Sequence, residues 1–322
     1  MVYARNVVKN MKKVYKTFIL FLIISVSNLL VGCVKTTEDN YNVSIISTSF
    51  PGYDFARAIV KDVDGAYVKM LLKPGSETHD YEPTPKDIID IMNSDIFIYV
   101  GGDSDEWIDS VLDNIDTTKT KVIKLMDLVD TVYEEAREGM ENTSDEQEFD
   151  EHVWTSPKNA ITITNSLKDE IVDIDSKNKE KYENNTNDYI NKINDIDTEI
   201  RSIVKSAKRK ELIFGDRFPL RYFVDEYGLS YYAAFPGCSE QIEASAKTIA
   251  FLVDKVKSDN IPVVLKIELS SGKIANSIAK ETNTKILEYH SAHNISQSDF
   301  DSGVTYVDLM KRNIVVLKEA LL

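Results

Sequence analysis

Short apolar runs and amphipathic segments alternate along the first third of the chain. VSIISTSF (43–50), AYVKMLL (66–72), DIFIYVGG (95–102) and KVIKLM (121–126) have the β-branched, continuous character of buried strands. Between them, YDFARAIVKDV puts Phe55, Ala58, Ile59 and Val63 on one face of a predicted helix. Thr84-Pro85-Lys86-Asp87 reads as a helix start with Thr84 as cap and Pro85 in the first turn. DSDEWIDSVLDNI predicts a further helix with Trp107, Val111 and Leu112 inward. Strand and helix alternation of this kind predicts a parallel sheet with helices on both faces.

The alternation stops between Asp127 and Asp150, where EEAREGMENTSDEQEFDE is acidic and poor in apolar residues, the pattern of a mobile surface loop. Ser156-Pro157 then starts a helix through NAITITNSLKDEIVDI, and a second helix is predicted over 176–207. In it Tyr182, Tyr189, Ile193, Ile196, Ile200 and Ile203 form a single apolar stripe. At 1.5 Å per residue its roughly 30 residues reach about 45 Å, longer than a domain is wide. Strands resume beyond it in ELIFG, LSYYAAF, IPVVLKIE and TKILEYH, with helices predicted over 220–226, 244–256 and 273–281. A last helix over 304–322 carries Val307, Met310, Ile314 and Leu317 on one side. The expected fold class is therefore α/β: two Rossmann-like lobes of parallel sheet flanked by helices, residues 41–175 and 208–322, joined by one long rigid helix, 176–207.

Composition refines this picture at the ends. The 322 residues, 43% hydrophobic, support two cores of ordinary globular type. Arg5, Lys9, Lys12, Lys13 and Lys16 precede a mostly apolar run from Phe18 to Leu30, the layout of a secretion signal over 1–33. The run ends in Leu30-Val31-Gly32-Cys33, which resembles a bacterial lipobox and makes Cys33 the expected lipidation site, followed by a polar tether over 34–40. A cut before Cys33 would move the formal charge from −15 to about −20. So acidic a surface argues against nucleic acid as a partner and favours cations. The other cysteine, Cys238, has no partner for a disulfide in an exported chain.

The candidate chemistry lies in four histidines, each in a loop-like stretch beside a strand or helix end. His79 sits in GSETHDYEPTPKDI, where prolines and a glycine fix the backbone. His152 sits in DEHVWTSPKNA, and His290 and His293 in EYHSAHNIS. In open sheets ligands gather at the carboxyl ends of strands, so His79 of the first lobe and His290 and His293 of the second are expected to face one another across a cleft.

These motifs, with SDIFIYVGGDSDEWIDSVL, KIELSSGKIANSIAKET and GVTYVDLMKRN, resemble the solute-binding lipoproteins of ABC importers for zinc and manganese, the ZnuA, PsaA and AdcA type. The resemblance covers nearly all of the chain after Cys33. It implies a metal bound between two lobes, an ABC permease and its ATPase as partners, a lipid-anchored extracytoplasmic location and a monomer. It places the family's first two histidine ligands on His79 and His152. Its third falls on Gly215, leaving Asp216 as substitute or no ligand, and its fourth falls on His290 or His293. Glu240, Glu243 and Glu268 match acidic positions near the family's cleft, in supporting roles. Imidazoles suit tetrahedral Zn²⁺, whereas Mn²⁺ favours carboxylate oxygen, so zinc is the expected cargo and manganese the alternative. HExxH, GxSxG and GxxxxGK[ST] are absent, which argues against a zinc hydrolase or any other enzyme. A lipid-anchored surface adhesin is the remaining alternative.

Overall fold

The computed structural model describes residues 41–77, 81–140, 148–237 and 243–322. The signal segment with Cys33, the tether, His79, Cys238, Glu240 and part of the acidic stretch lie outside the described residues. Strands β1 (Val43–Ser47), β2 (Ala66–Met70), β3 (Ile96–Tyr99) and β4 (Lys121–Lys124) form a parallel sheet in the order β2-β1-β3-β4. Strands β5 (Glu211–Phe218), β6 (Ser230–Pro236), β7 (Val263–Ile267) and β8 (Lys285–Tyr289) form a second parallel sheet, β6-β5-β7-β8. The two sheets thus repeat one strand order, each flanked by helices.

In the first half the helices are α1 (Phe50–Ile59), α2 (Pro85–Met92), α3 (Asp109–Leu112) and α4 (Pro157–Ile174). Thr84 caps α2 in a reciprocal capping box with Asp87, and Ser156 caps α4 through Asn159 N–H. The helix expected over DSDEWIDSVLDNI is instead a 3-10 turn, Asp103–Ile108, followed by the single α-helical turn α3. The cause is Asp105, whose carboxylate turns back to accept Val100 N–H at 2.6 Å and Gly101 N–H at 3.1 Å, tightening the chain.

The long helix is α5, Lys179–Ser206, preceded by a 3-10 turn over Ser176–Asn178. All the stripe residues from Tyr182 to Ile203 are buried. α5 grips both halves. Towards the first, Asn185 donates to the carbonyls of Ile59 at 2.9 Å and Lys61 at 2.7 Å. Towards the second, Tyr227 O–H donates to Asp197 at 2.7 Å, and Glu199 pairs with Lys318 at 2.6 Å. The remaining helices are α6 (Arg221–Tyr227), α7 (Ala246–Ser258), α8 (Lys273–Thr282), α9 (Gln297–Asp301) and α10 (Tyr306–Leu321). Among the described residues no helix is long and apolar enough to cross a membrane.

α10 packs on the second sheet and the long helix, and its amino end reaches α1 of the first half, where one buried carboxylate holds the junction. Asp54 of α1 accepts from Tyr189 O–H of α5, from Tyr306 N–H of α10 at 2.9 Å and from the Arg57 guanidinium. Arg57 in turn donates to Val304 C=O at 2.9 Å. Removing that carboxylate strands buried donors on three elements together. Asp54→Ala is therefore expected to lower unfolding stability by about 3 kcal/mol in urea titration; a loss under about 1 kcal/mol would show that the junction is held by packing alone.

Candidate metal centre

Every loop that builds the site follows the carboxyl end of a strand or precedes a helix. β3 ends in Val100-Gly101-Gly102 and opens into the 3-10 turn with Ser104 and Asp105. The chain re-enters from the acidic stretch at Asp150-Glu151-His152, all three buried, just ahead of α4. β8 ends at Tyr289, and residues 290–295 behind it are buried without regular structure.

That last loop crosses to the first lobe and is tied there by its backbone. Phe50 N–H donates to His293 C=O at 3.3 Å and Gly75 N–H to Ile295 C=O at 2.7 Å. The Asn294 amide donates to the carbonyls of Lys73 at 3.0 Å and Ser76 at 2.6 Å. Trp154 Nε1 donates to Ser291 C=O at 2.9 Å, and its ring packs on His293 with centroids 4.8 Å apart.

The outcome is a meeting of His152 and His293, with ring centroids 5.2 Å apart and planes nearly perpendicular. Glu151 joins them, its Oε1 3.8 Å from His293 Nε2. One ligand atom from each of Glu151, His152 and His293 lies within 4.8 Å of the others. Bonds of about 2.0–2.1 Å in a tetrahedral shell put ligand atoms roughly 3.3 Å apart, so small side-chain rotations would close this cluster on an ion. Two imidazoles and a carboxylate would be a donor set that suits Zn²⁺. A cleft lined by His152 and His293 opens here, bordered by Glu77, Arg217, Glu268 and Asn294.

The His152 imidazole is pre-oriented. Asp150 Oδ1 accepts from His152 N–H at 2.8 Å and pairs with its Nδ1 at 3.1 Å. A carboxylate can only accept, so the ring proton sits on Nδ1 and the Nε2 lone pair is left for a cation. Burial acts to strip His152 of its proton, yet the carboxylates of Asp150, Glu151 and Glu134 outweigh it and hold its pKa above the ordinary imidazole value. Burial pushes the Glu151 carboxyl up to about 7 and Asp105 up to about 6.

The other expected ligands are placed differently. His290 is buried, but its Nδ1 already accepts Ala292 N–H at 3.0 Å, and its backbone N–H is held by Asn313 at 2.8 Å. It braces the loop that presents His293. Asp216 accepts Arg217 N–H at 2.9 Å and Ile267 N–H at 3.4 Å, and stands apart from the cluster. At Gly215 a Cβ would meet the Ala275 backbone of α8 at 2.5 Å, so no side chain fits there. Glu268 accepts Ser291 N–H at 2.7 Å and Ser291 O–H at 2.5 Å, securing the same loop, while Glu243 is exposed ahead of α7. Glu151 was not among the expected residues. Its signal is slight: it closes an acidic run, and only its position next to His152 sets it apart.

Comparison with known proteins decides the family. Residues 45–320 match the family model described as "Zinc-uptake complex component A periplasmic". The chain belongs to that zinc-uptake component A family. Among relatives, the Bacillus subtilis (strain 168) high-affinity zinc uptake system protein ZnuA is 32% identical over 94% of this chain and 97% of its own length. The zinc-binding lipoprotein AdcA of Streptococcus pneumoniae R6 is 30% identical over 90% of this chain, which spans 58% of AdcA. Among solved structures, the B. subtilis metal-dependent lipoprotein YcdH superposes with a TM-score of 0.74 at 31% identity, covering 87% of this chain and all of YcdH. The Zn(II)-bound ZnuA-like domain of S. pneumoniae AdcA gives 0.71 at 29% identity over 86% of this chain and 98% of that domain. This component A fold of two parallel sheets and one long helix is the α/β architecture expected from the sequence.

An imidazolium has no lone pair to give, so a raised His152 pKa brings proton competition in at a higher pH than for a free imidazole. Metal affinity is expected to fall as pH falls, beginning above the ordinary imidazole value of about 6.5 and steepening below it, by roughly tenfold per pH unit for each ligand imidazole that must lose a proton. Chelator-competition titrations at pH 8, 7, 6 and 5 check this; equal affinity at pH 5 and 8 would exclude imidazole ligands.

Proposed function

We propose that this protein is the extracytoplasmic receptor of a zinc importer. It captures one Zn²⁺ at His152 and His293, with His79 as a further ligand, and hands the ion to a membrane permease driven by its ATPase. Cys33 carries the lipid anchor that keeps the receptor beside that permease. The observation that carries the reading is the convergence of His152 and His293, from opposite halves of the chain, in one buried cluster. Family membership and the zinc named for its ZnuA and AdcA relatives point the same way.

The role is capture and release, without chemistry on the cargo. The donor set favours zinc over manganese, because imidazole is the softer ligand and affinities rise from Mn²⁺ towards the end of the series. The loop behind β8 is already hydrogen-bonded to the first lobe, so loading calls for side-chain closure and small lobe adjustments in place of a wide hinge.

Isothermal titration at pH 7.5 is expected to give one Zn²⁺ per chain and Mn²⁺ binding weaker by about 100-fold or more; absence of zinc binding, or preference for manganese, would overturn the reading. The two carboxyl-terminal histidines should separate. His293→Ala is expected to weaken zinc by about 100-fold, whereas His290→Ala keeps affinity within about threefold and loses thermal stability because Ala292 N–H is left without its Nδ1 acceptor. The reverse pattern would move the site to His290.

A further inference from the structure

Glu151 is buried completely, and the way it is held leaves one oxygen with spare capacity. Ser104 is its clamp: the Ser104 hydroxyl lies 2.9 Å from both carboxylate oxygens, and Ser104 N–H donates to Oε2 at 3.2 Å. A hydroxyl has one proton to give, so Oε1 keeps unfilled acceptor sites. Oε1 is also the oxygen that faces His293 Nε2, at 3.8 Å. Among the described residues no lysine or arginine comes within ion-pair distance of Glu151. An ionised carboxylate sealed from water without a cation is costly, and a dication among these side chains would remove that cost.

The surroundings also keep space open for this side chain. A Cβ built at Gly102 would collide with Glu151, so the residue that follows Gly101 at the end of β3 has no side chain where the carboxylate lies. Two positions in the second half offer no oxygen in the same way: α8 fills the space at Gly215, and the Asp216 carboxylate is engaged by backbone N–H groups. Glu268 offers the instructive contrast. It has the same serine clamp, through Ser291, but its nearest imidazole is His290 at 3.6 Å, whose Nδ1 is already an acceptor.

We infer that Glu151 is a direct ligand, giving the captured metal ion a carboxylate oxygen beside the nitrogens of His152 and His293. This rests on the receptor reading and makes it more specific: the site is a mixed imidazole and carboxylate shell. One negative charge from Glu151 offsets half of the cargo's charge in a buried setting, which a shell of neutral imidazoles alone would leave uncompensated. Ser104 is the positioning residue, and Gly102 supplies the room.

The test is chelator-competition titration with Zn²⁺ at pH 7.5 on the full-length protein, with folding of each zinc-free variant verified by circular dichroism. Glu151→Gln, nearly isosteric and neutral, is expected to weaken zinc by about 100-fold, the upper end of what losing even an outer partner costs. X-ray absorption at the zinc edge should then report the shell of the variant with one light-atom ligand fewer, or with that ligand at a longer distance. Unchanged affinity and an unchanged shell would overturn the inference while leaving the receptor reading intact; a wild-type protein that binds no zinc would overturn both. Should Glu151→Gln fail to fold, Gly102→Ala carries the test, since it keeps the carboxyl but displaces it. A loss of about tenfold supports direct ligation, and unchanged affinity contradicts it.

Discussion

The anchoring of residues 290–296 to the opposite half of the molecule is the constraint on which the site depends. A loop that leaves β8 would ordinarily run over its own sheet. Here its carbonyls and the Asn294 amide bond to Phe50, Lys73, Gly75 and Ser76, and Trp154 closes over it. Each bond is worth only about 1 kcal/mol net, but residues 290–295 on the loop side are buried, so breaking the bonds would also leave polar groups of that loop unpaired. The ring of His293 is delivered to His152 by this tie and not by proximity of the two sheets alone. The carboxylate of Asp54 serves the same end from the other side, holding α10 to α1 and α5 so that the strap cannot drift.

Charge gives the second half of the account. A chain with formal charge −15 has placed Asp105, Asp150 and Glu151 out of water around two imidazoles. Burial pushes Asp105 and Glu151 up, whereas carboxylates hold the proton of His152 more tightly than burial strips it. These opposite tendencies describe a cavity set up for positive charge. Without it, the group is a compromise in which protons do the neutralising; with a divalent ion, the imidazoles can be neutral ligands and the carboxylates ionised.

Much of this was legible in the sequence, for reasons that can be named. The α5 stripe was readable because a helix buried along one face must repeat its apolar residues at helical spacing, and every residue from Tyr182 to Ile203 singled out on that basis is buried. The strands were readable because parallel strands covered on both faces are continuous apolar runs, although β5 continues three residues beyond ELIFG, through a register shift against β6 between Phe214 and Arg217. Histidines are few enough that their loops stood out. Glu151 did not, because in sequence it is one more acid at the end of an acidic run. In the fold its carboxylate is buried and held by Ser104, a residue 47 positions away. Asp216 and His290 are good ligands as residue types, but the structure does not bring them into the group formed by Glu151, His152 and His293, and backbone N–H groups bond to Asp216 and to Nδ1 of His290.

The central claim is that imidazoles from the two halves converge on one ion. A crystal grown with Zn²⁺ and measured on both sides of the zinc absorption edge tests it most directly. The account predicts a single strong anomalous peak within bonding distance of His152 Nε2 and of a His293 ring nitrogen, about 2.0–2.1 Å from each. A peak at His290, at the surface acids, or bonded to only one of the two rings would contradict it.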